Sequence, residues 1–211
     1  MESNILKQKV SINCHSSICI NDSIYIDPYN IKDELHNAEV IFLTHPHYDH
    51  CDLASIEKIA NKNTIVVGTS DTLGLVAENF SIANMVEVDN NYVGNVSEIK
   101  FGTFPSYNIA KPFHPKDNGW VGYIIEVDGV SFVICGDCDA IAELKQLSAD
   151  VLFVPIGGKY TMDGIEASQL TNIIAPKYVV PMHYGSVVGS VEDVDVFTNN
   201  INNNTQVVVL I

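Results

Sequence analysis

The chain has little positive charge. Its 211 residues include 11 Lys and Arg against 26 Asp and Glu, which gives a formal net charge of -15 at pH 7. Such a surface repels nucleic-acid phosphates and anionic lipid headgroups, so it argues against non-specific binding to nucleic acid or to a membrane. A small anionic substrate stays compatible with this charge, because a metal centre sets its own local field.

Cysteine and long hydrophobic runs are also scarce. The 5 cysteines are odd in number and form no framework, which favours reduced thiols in a cytosolic protein. No run approaches the about 18 apolar residues of a membrane span, and the first residues carry no export signal. We therefore expect a cytoplasmic protein. A hydrophobic content of 46% predicts one globular domain over residues 1–211, and the sequence leaves open whether copies associate as a homo-oligomer.

One segment concentrates 3 of the 7 histidines. Residues 44–50 read THPHYDH and follow the apolar run 40–43, which is typical of a short buried strand. Pro46 prevents simple continuation into a helix, so the segment is predicted to be a loop at the carboxyl end of a strand, a common place for chemistry in α/β folds. Imidazoles and a carboxylate suit zinc, manganese or iron. The alternative interpretation is a polar surface loop rich in His.

Two further strand ends carry candidate metal ligands. Asp137 follows the predicted strand at 130–135, and His183 follows the one at 178–180. A lone Asp after a strand is more often a helix cap, and a lone His is more often a hydrogen-bonded or surface residue. Their recurrence at three strand ends favours a shared metal site.

The remaining pattern is a β-hairpin followed by alternating strands and helices. The hairpin is predicted over residues 10–27, and helices are predicted over 53–61, 141–147 and 163–174. Residues 105–119 include three prolines and show no periodicity, and a loop of this length in a compact domain is usually functional.

The segment 45–50, H-x-H-x-D-H, with Gly136-Asp137 and His183 after it, resembles the metallo-β-lactamase superfamily. Residues 13–17 (NCHSS) and 25–28 (YIDP) resemble the subgroup that contains L-ascorbate-6-phosphate lactonase and N-acyl phosphatidylethanolamine phospholipase D. The resemblance spans most of the chain. It implies an α+β or α/β architecture, the four-layer αββα sandwich of the metallo-β-lactamase fold.

The same resemblance implies a dinuclear site with two divalent ions, zinc or manganese. The ligands that it implies are His45 and His47 for the first ion, Asp49, His50 and His183 for the second, and Asp137 as the bridge. Asp49 would orient the attacking hydroxide and accept its proton, and His183 would support the second metal.

The sequence departs from the family where a third histidine should complete the first metal's ligands. That position falls at about Asn108, whose neutral amide oxygen is a poor zinc ligand. His114 lies in the same loop and is either the substitute ligand or a histidine bonded to the backbone. His15 is a third candidate, better suited to a place behind the ligands. If none supplies a nitrogen, we expect one metal ion instead of two.

Residues 155–162, PIGGKYTM, form a Gly-rich loop after a predicted strand, without the spacing of a phosphate-binding loop. Lys159 or Tyr160 can meet a substrate anion or a developing oxyanion. The other interpretation is a tight turn with Lys159 in solvent.

These features predict a metal-dependent hydrolase in which a metal-bound hydroxide attacks a small ester, lactone or phosphodiester. The subgroup resemblance favours a lactonase or phosphodiesterase with a small-molecule substrate. Two alternatives stay open: a non-catalytic or degenerate metal- or ligand-binding protein of the same fold, and an iron-bearing enzyme that acts on oxygen or thiols.

Overall fold

A computed structural model describes residues 9–211, which form two compact units. The first comprises residues 9–88 with Leu210 and Ile211, and the second comprises residues 89–209. Within the described residues, each unit contains one β-sheet and two complete α-helices. That the whole chain acts as a single domain stays a prediction.

The first unit contains a six-stranded sheet whose strands lie side by side in chain order. The strands are β1 (Val10–Ile12), β2 (Ile18–Ile20), β3 (Ile24–Ile26), β4 (Val40–Phe42), β5 (Ile65–Gly68) and β6 (Asn84–Glu87). The first three pair antiparallel, as the hairpin pattern predicted, and β3 to β6 run parallel. The parallel strands therefore all deliver their carboxyl ends to one edge of this sheet.

Two helices connect the parallel strands of this unit. Helix α1 (Leu53–Ile59) lies between β4 and β5, and α2 (Ser70–Asn79) lies between β5 and β6. Asp52 caps α1, because its side chain accepts a hydrogen bond from the Ala54 amide. The buried side chains of Ile56 and Ile59 join the core of the unit, so the helix predicted over 53–61 packs an apolar face against this core.

The second unit contains a seven-stranded sheet in the order β13-β12-β11-β10-β9-β8-β7. The strands are β7 (Val93–Val96), β8 (Ile99–Pro105), β9 (Val121–Val127), β10 (Val130–Ile134), β11 (Val151–Pro155), β12 (Tyr178–Met182) and β13 (Gln206–Val207). Strands β7 to β10 pair antiparallel and β10 to β13 run parallel. Helices α3 (Gly164–Ile174) and α4 (Asp193–Asn199) follow β11 and β12.

The helix predicted over 141–147 is wrong. The segment forms a single 3₁₀ turn, Leu144–Gln146, because only Ile141 and Leu144 are fully buried and one short apolar pair does not nucleate an α-helix. Helix α3 was predicted almost to the residue. At 11 residues it is the longest helix described, and no described helix is long and apolar enough to cross a membrane.

Candidate metal centre

The H-x-H-x-D-H segment leaves the carboxyl end of β4, as predicted. The His47 carbonyl accepts hydrogen bonds from the amides of His50 and Cys51, at 3.0 and 2.8 Å, so the chain turns tightly. The turn brings three imidazoles together. The ring centroid of His45 lies 4.7 Å from that of His47 and 4.1 Å from that of His50.

Asp27 lies directly after β3, the strand beside β4, and its carboxylate is buried. Its Oδ1 accepts the Thr44 amide at 2.8 Å, and its Oδ2 accepts the Thr44 hydroxyl at 2.7 Å. The same Oδ2 lies 2.7 Å from Nδ1 of His50. Because a carboxylate only accepts, His50 carries its proton on Nδ1, and Nε2 keeps the lone pair that a metal needs.

Thr44 assigns the proton of His45 in the same way. Its hydroxyl hydrogen goes to Asp27, so the oxygen, 2.9 Å from Nδ1 of His45, accepts a hydrogen bond from that ring. His45 is therefore protonated on Nδ1. Its Nε2 faces Nδ1 of His47 at 3.1 Å, so two ring nitrogens of this segment point toward each other.

His15 and Asp49 add to this cluster. His15 lies in the turn between β1 and β2, with Nε2 3.2 Å from Oδ2 of Asp49. Nε2 of His50 lies 3.9 Å from the same oxygen. The ligand atoms of these three side chains all lie within 4.8 Å of one another, and all three are buried. The structure thus places His15 against Asp49.

The second unit also carries candidate ligands at its own strand ends. Asp137 follows β10 and His183 follows β12, as predicted, with β11 between these two strands. Oδ2 of Asp137 lies 2.9 Å from Nε2 of His183 and 3.3 Å from Nε2 of His114. All three side chains are almost completely buried, at 3%, 0% and 1% exposure. The His114 ring is thus directed at Asp137.

Asn108 lies on the Nδ1 side of the His114 ring. Its Oδ1 accepts the His114 amide at 3.2 Å and lies 3.0 Å from Nδ1 of the His114 ring. Oδ1 of Asn108 is therefore directed at the His114 ring. This is the atom that would have to replace the missing histidine ligand.

The Gly-rich loop of residues 155–162 borders the His114 loop. The Tyr160 carbonyl accepts a hydrogen bond from Nδ2 of Asn108 at 2.9 Å, and the Tyr160 ring contacts Phe113 edge to face at 4.7 Å. The exposed ammonium of Lys159 lies 4.9 Å from the centroid of the Tyr160 ring. Both residues singled out in this loop therefore lie near Asn108 and its neighbours.

Cys135 and Cys138 flank Asp137 and are fully buried. The hydrogen bond with Cys135, together with burial, raises the pKa of Cys138 well above its ordinary value. Cys138 is therefore a thiol and not a thiolate at neutral pH, which fits a packing role for this side chain.

The two clusters suit divalent metal ions by their donor chemistry. Each offers buried imidazole nitrogens beside a carboxylate, and in each a protein acceptor fixes the proton of a histidine on Nδ1. Sequence reasoning assigned no role in the site to Asp27 or Thr44. The available signal was the position of Asp27 directly after a strand that pairs with β4.

Comparisons with known proteins agree with this chemistry. The family model described as "Beta-lactamase superfamily domain" matches residues 9–183. A UPF0173 metal-dependent hydrolase of Pyrococcus furiosus is 27% identical over 219 residues and covers 96% of both chains. One of Staphylococcus carnosus is 30% identical over 184 residues, covering 76% of this chain and 77% of its own.

A solved structure shows the same fold. The crystal structure of a candidate metal-dependent hydrolase of Parabacteroides distasonis matches with a TM-score of 0.80 and 23% identity, over 95% of this chain and 91% of that one. Together with the family match, this confirms the predicted αββα fold class, the metallo-β-lactamase fold.

Proposed function

Because the chain belongs to the β-lactamase superfamily, and within it to the UPF0173 metal-dependent hydrolases, we propose that it hydrolyses a small ester, lactone or phosphodiester with two divalent ions, zinc or manganese. The observation that carries the proposal is the contact of Asp27 with both Thr44 and His50. These contacts hold the protons of His50 and His45 on Nδ1 and leave Nε2 of each ring to donate to a cation. A histidine with a purely structural role does not require this arrangement.

Seven side chains are assigned as metal ligands. They are His45, His47, His114, Asp49, His50, Asp137 and His183, with His114 in place of the histidine missing at position 108. When bound, the ions supply an acidified water molecule and neutralise the negative charge that develops on the substrate.

Asp49 is assigned as the proton acceptor during attack. Its Oδ2 lies 3.2 Å from Nε2 of His15, and this contact fixes the orientation of the carboxylate. An oriented carboxylate accepts the proton of an attacking water molecule without first reorganising. His15 is thereby assigned a positioning role, and His183 a supporting role at the metal.

The substrate is proposed to be small and anionic, as a phosphorylated lactone or a phosphodiester is. The 11 positively charged residues of the chain are all Lys, so a permanently charged side chain that meets the substrate is an ammonium group. Lys159 is exposed beside the aromatic pair of Tyr160 and Phe113, next to the loop that carries His114. An ammonium at this place binds phosphate as a point charge.

The test is metal analysis of the purified protein combined with a substrate panel. The panel contains a γ-lactone, bis(p-nitrophenyl) phosphate, p-nitrophenyl acetate and a chromogenic β-lactam. We expect close to two zinc or manganese ions per chain and turnover of the lactone or the phosphodiester, which a chelator abolishes and added metal restores. A coloured, iron-loaded protein without turnover, or a metal-free protein inert on the whole panel, overturns the proposal.

A further inference from the structure

A buried polar chain runs through the second unit from Asp139 through Asn108 to His114. The three side chains are 7%, 6% and 1% exposed. Asn108 donates from Nδ2 to Oδ1 of Asp139 at 3.2 Å and to the Tyr160 carbonyl at 2.9 Å. Both amide hydrogens of Asn108 are therefore used, and the orientation of its amide group is fixed.

This orientation determines what His114 must do. With Nδ2 held by two acceptors, the atom of Asn108 that faces His114 is Oδ1, which lies 3.0 Å from the ring Nδ1. An amide oxygen only accepts, so the imidazole donates from Nδ1. The lone pair then lies on Nε2, the atom 3.3 Å from Oδ2 of Asp137. A free neutral histidine prefers the opposite tautomer, with the proton on Nε2.

Asp139 stabilises this orientation of the Asn108 amide through further contacts with the loop. Its Oδ1 also accepts Nζ of Lys111 at 2.6 Å, and its Oδ2 accepts the Ile109 amide at 2.8 Å. The Asp139 amide donates to the Tyr107 carbonyl at 3.0 Å. With its bond to Asn108, Asp139 thus makes four contacts with the loop, at residues 107, 108, 109 and 111, and holds Asn108 from both sides.

The simpler interpretation of Asp139, a helix cap, does not fit. The following segment forms only one 3₁₀ turn, which is preceded by Glu143 and has no side-chain cap. The alternative role for Asn108, direct metal ligation, does not fit either, because its oxygen already receives the amide and the ring of His114.

We propose that Asn108, held by Asp139, is a positioning residue that keeps His114 protonated on Nδ1 and so presents Nε2 as the donor atom. This inference rests on the proposed function through the ligand role of His114. It also gives a reason for an asparagine at the position where the family pattern places a histidine. The ligand has moved to residue 114, and residue 108 now orients it.

Two variants separate positioning from simple loop stability. Asn108→Leu has a similar volume and no acceptor for Nδ1. Asn108→Asp keeps an acceptor toward Nδ1 but places a second carboxylate beside Asp139, so it is expected to lose as much thermal stability as Asn108→Leu. Asn118→Leu, on an exposed residue of the same loop, is the matched control.

The readouts are zinc affinity, by competition with a chromophoric chelator, and the histidine ring ¹⁵N spectrum of the zinc-loaded protein. We expect the native spectrum to show His114 bound through Nε2 and protonated on Nδ1. Asn108→Leu should lose about 10- to 100-fold in affinity for one zinc ion, whereas Asn108→Asp should stay close to native. The melting temperature should fall in both variants and stay unchanged in Asn118→Leu.

Three results overturn the inference alone: coordination of His114 through Nδ1, zinc affinity that follows the melting temperature equally in both Asn108 variants, and native affinity in Asn108→Leu. A native protein that binds no zinc or manganese instead overturns the proposed function, and with it the ligand role of His114. The two failures are therefore distinguishable.

Discussion

Nδ1 of His50 lies 2.7 Å from Oδ2 of Asp27, and both side chains are buried. Asp27 is not assigned as a metal ligand, yet this contact sets the direction in which His50 donates. A carboxylate behind an imidazole also increases the basicity of the ring, which strengthens its bond to a cation.

Replacing Asp27 tests that relationship. Asp27→Asn keeps the size of the side chain but removes the charge that pairs with the His50 ring. We expect zinc affinity to fall about 10- to 100-fold in a chelator competition. The control is Asp33→Asn, at an exposed position. Equal affinity in the two variants would contradict the role given to Asp27.

The ligand role of His50 has a direct test. His50→Ala is expected to lower the metal content by about one ion per chain and to abolish hydrolysis, because a buried imidazole donor is removed. His36→Ala is the control, since His36 is exposed and its Nδ1 lies 2.9 Å from the Ala60 carbonyl, outside the H-x-H-x-D-H segment. An unchanged metal content in His50→Ala, measured by metal analysis, would contradict the ligand role of His50.

Gly157 leaves room for the backbone of His183. A Cβ at this position would lie 2.3 Å from the His183 carbonyl oxygen and 2.9 Å from Cγ1 of Val188. We expect Gly157→Ala to displace His183, to lower the free energy of unfolding by about 1–3 kcal/mol and to reduce metal content.

The matched control for that substitution is Gly74→Ala, in the exposed part of α2. Nothing lies within 4 Å of a Cβ added there, and alanine favours the helix by up to about 1 kcal/mol. Thermal and urea unfolding should therefore move in opposite directions for the two variants. Equal stability of both would show that the space at Gly157 is not restrictive.

Helix α3 begins with a capping box. Oδ1 of Asp163 accepts the amides of Ile165 and Glu166, at 2.9 and 2.8 Å, and the Glu166 carboxylate accepts the Asp163 amide at 3.1 Å. Asp163→Ala should cost about 1 kcal/mol of unfolding free energy, measured in urea. Asp163→Asn, which keeps the acceptor, should cost only a fraction of that, and an equal loss in both variants would argue against the cap.

Asp150 makes a contribution to stability that depends on pH. Its Oδ2 accepts the amide of Ser131 at 2.9 Å and the hydroxyl at 2.8 Å, and these bonds lower the pKa of the carboxyl. A carboxyl with a lowered pKa stabilises the fold above its unfolded pKa of about 3.9, and that stability is lost as the pH falls through the folded pKa.

The expected result is a difference that disappears in acid. At pH 7, Asp150→Asn should unfold about 0.5–1 kcal/mol more easily than the native chain, a modest value because Asp150 is exposed. The gap should shrink as the pH falls below about 4. Urea unfolding across this range checks the sign, and a gap that grows in acid would refute it.

The fold was predictable wherever the signal was local. The hairpin between β9 and β10 follows from Asp128-Gly129, and both residues adopt positive φ angles, 52° and 74°. Helix α3 follows from its cap and its apolar spacing. The segment 141–147 failed because its buried residues, Ile141 and Leu144, pack as part of a loop, and the apolar pattern alone does not distinguish that from a helix.

Residue identities alone indicate the kind of chemistry. They place candidate metal ligands within one hexapeptide, and the predicted strands place an Asp and a His after two later strand ends. The positions of the histidine protons follow only from contacts made in the folded chain. Asp27 reaches His50 because β3 pairs with β4, and Asn108 reaches His114 because its amide is held by Asp139 and Tyr160. These contacts join residues distant in the chain, so no local pattern encodes them, yet they determine which nitrogen each histidine offers.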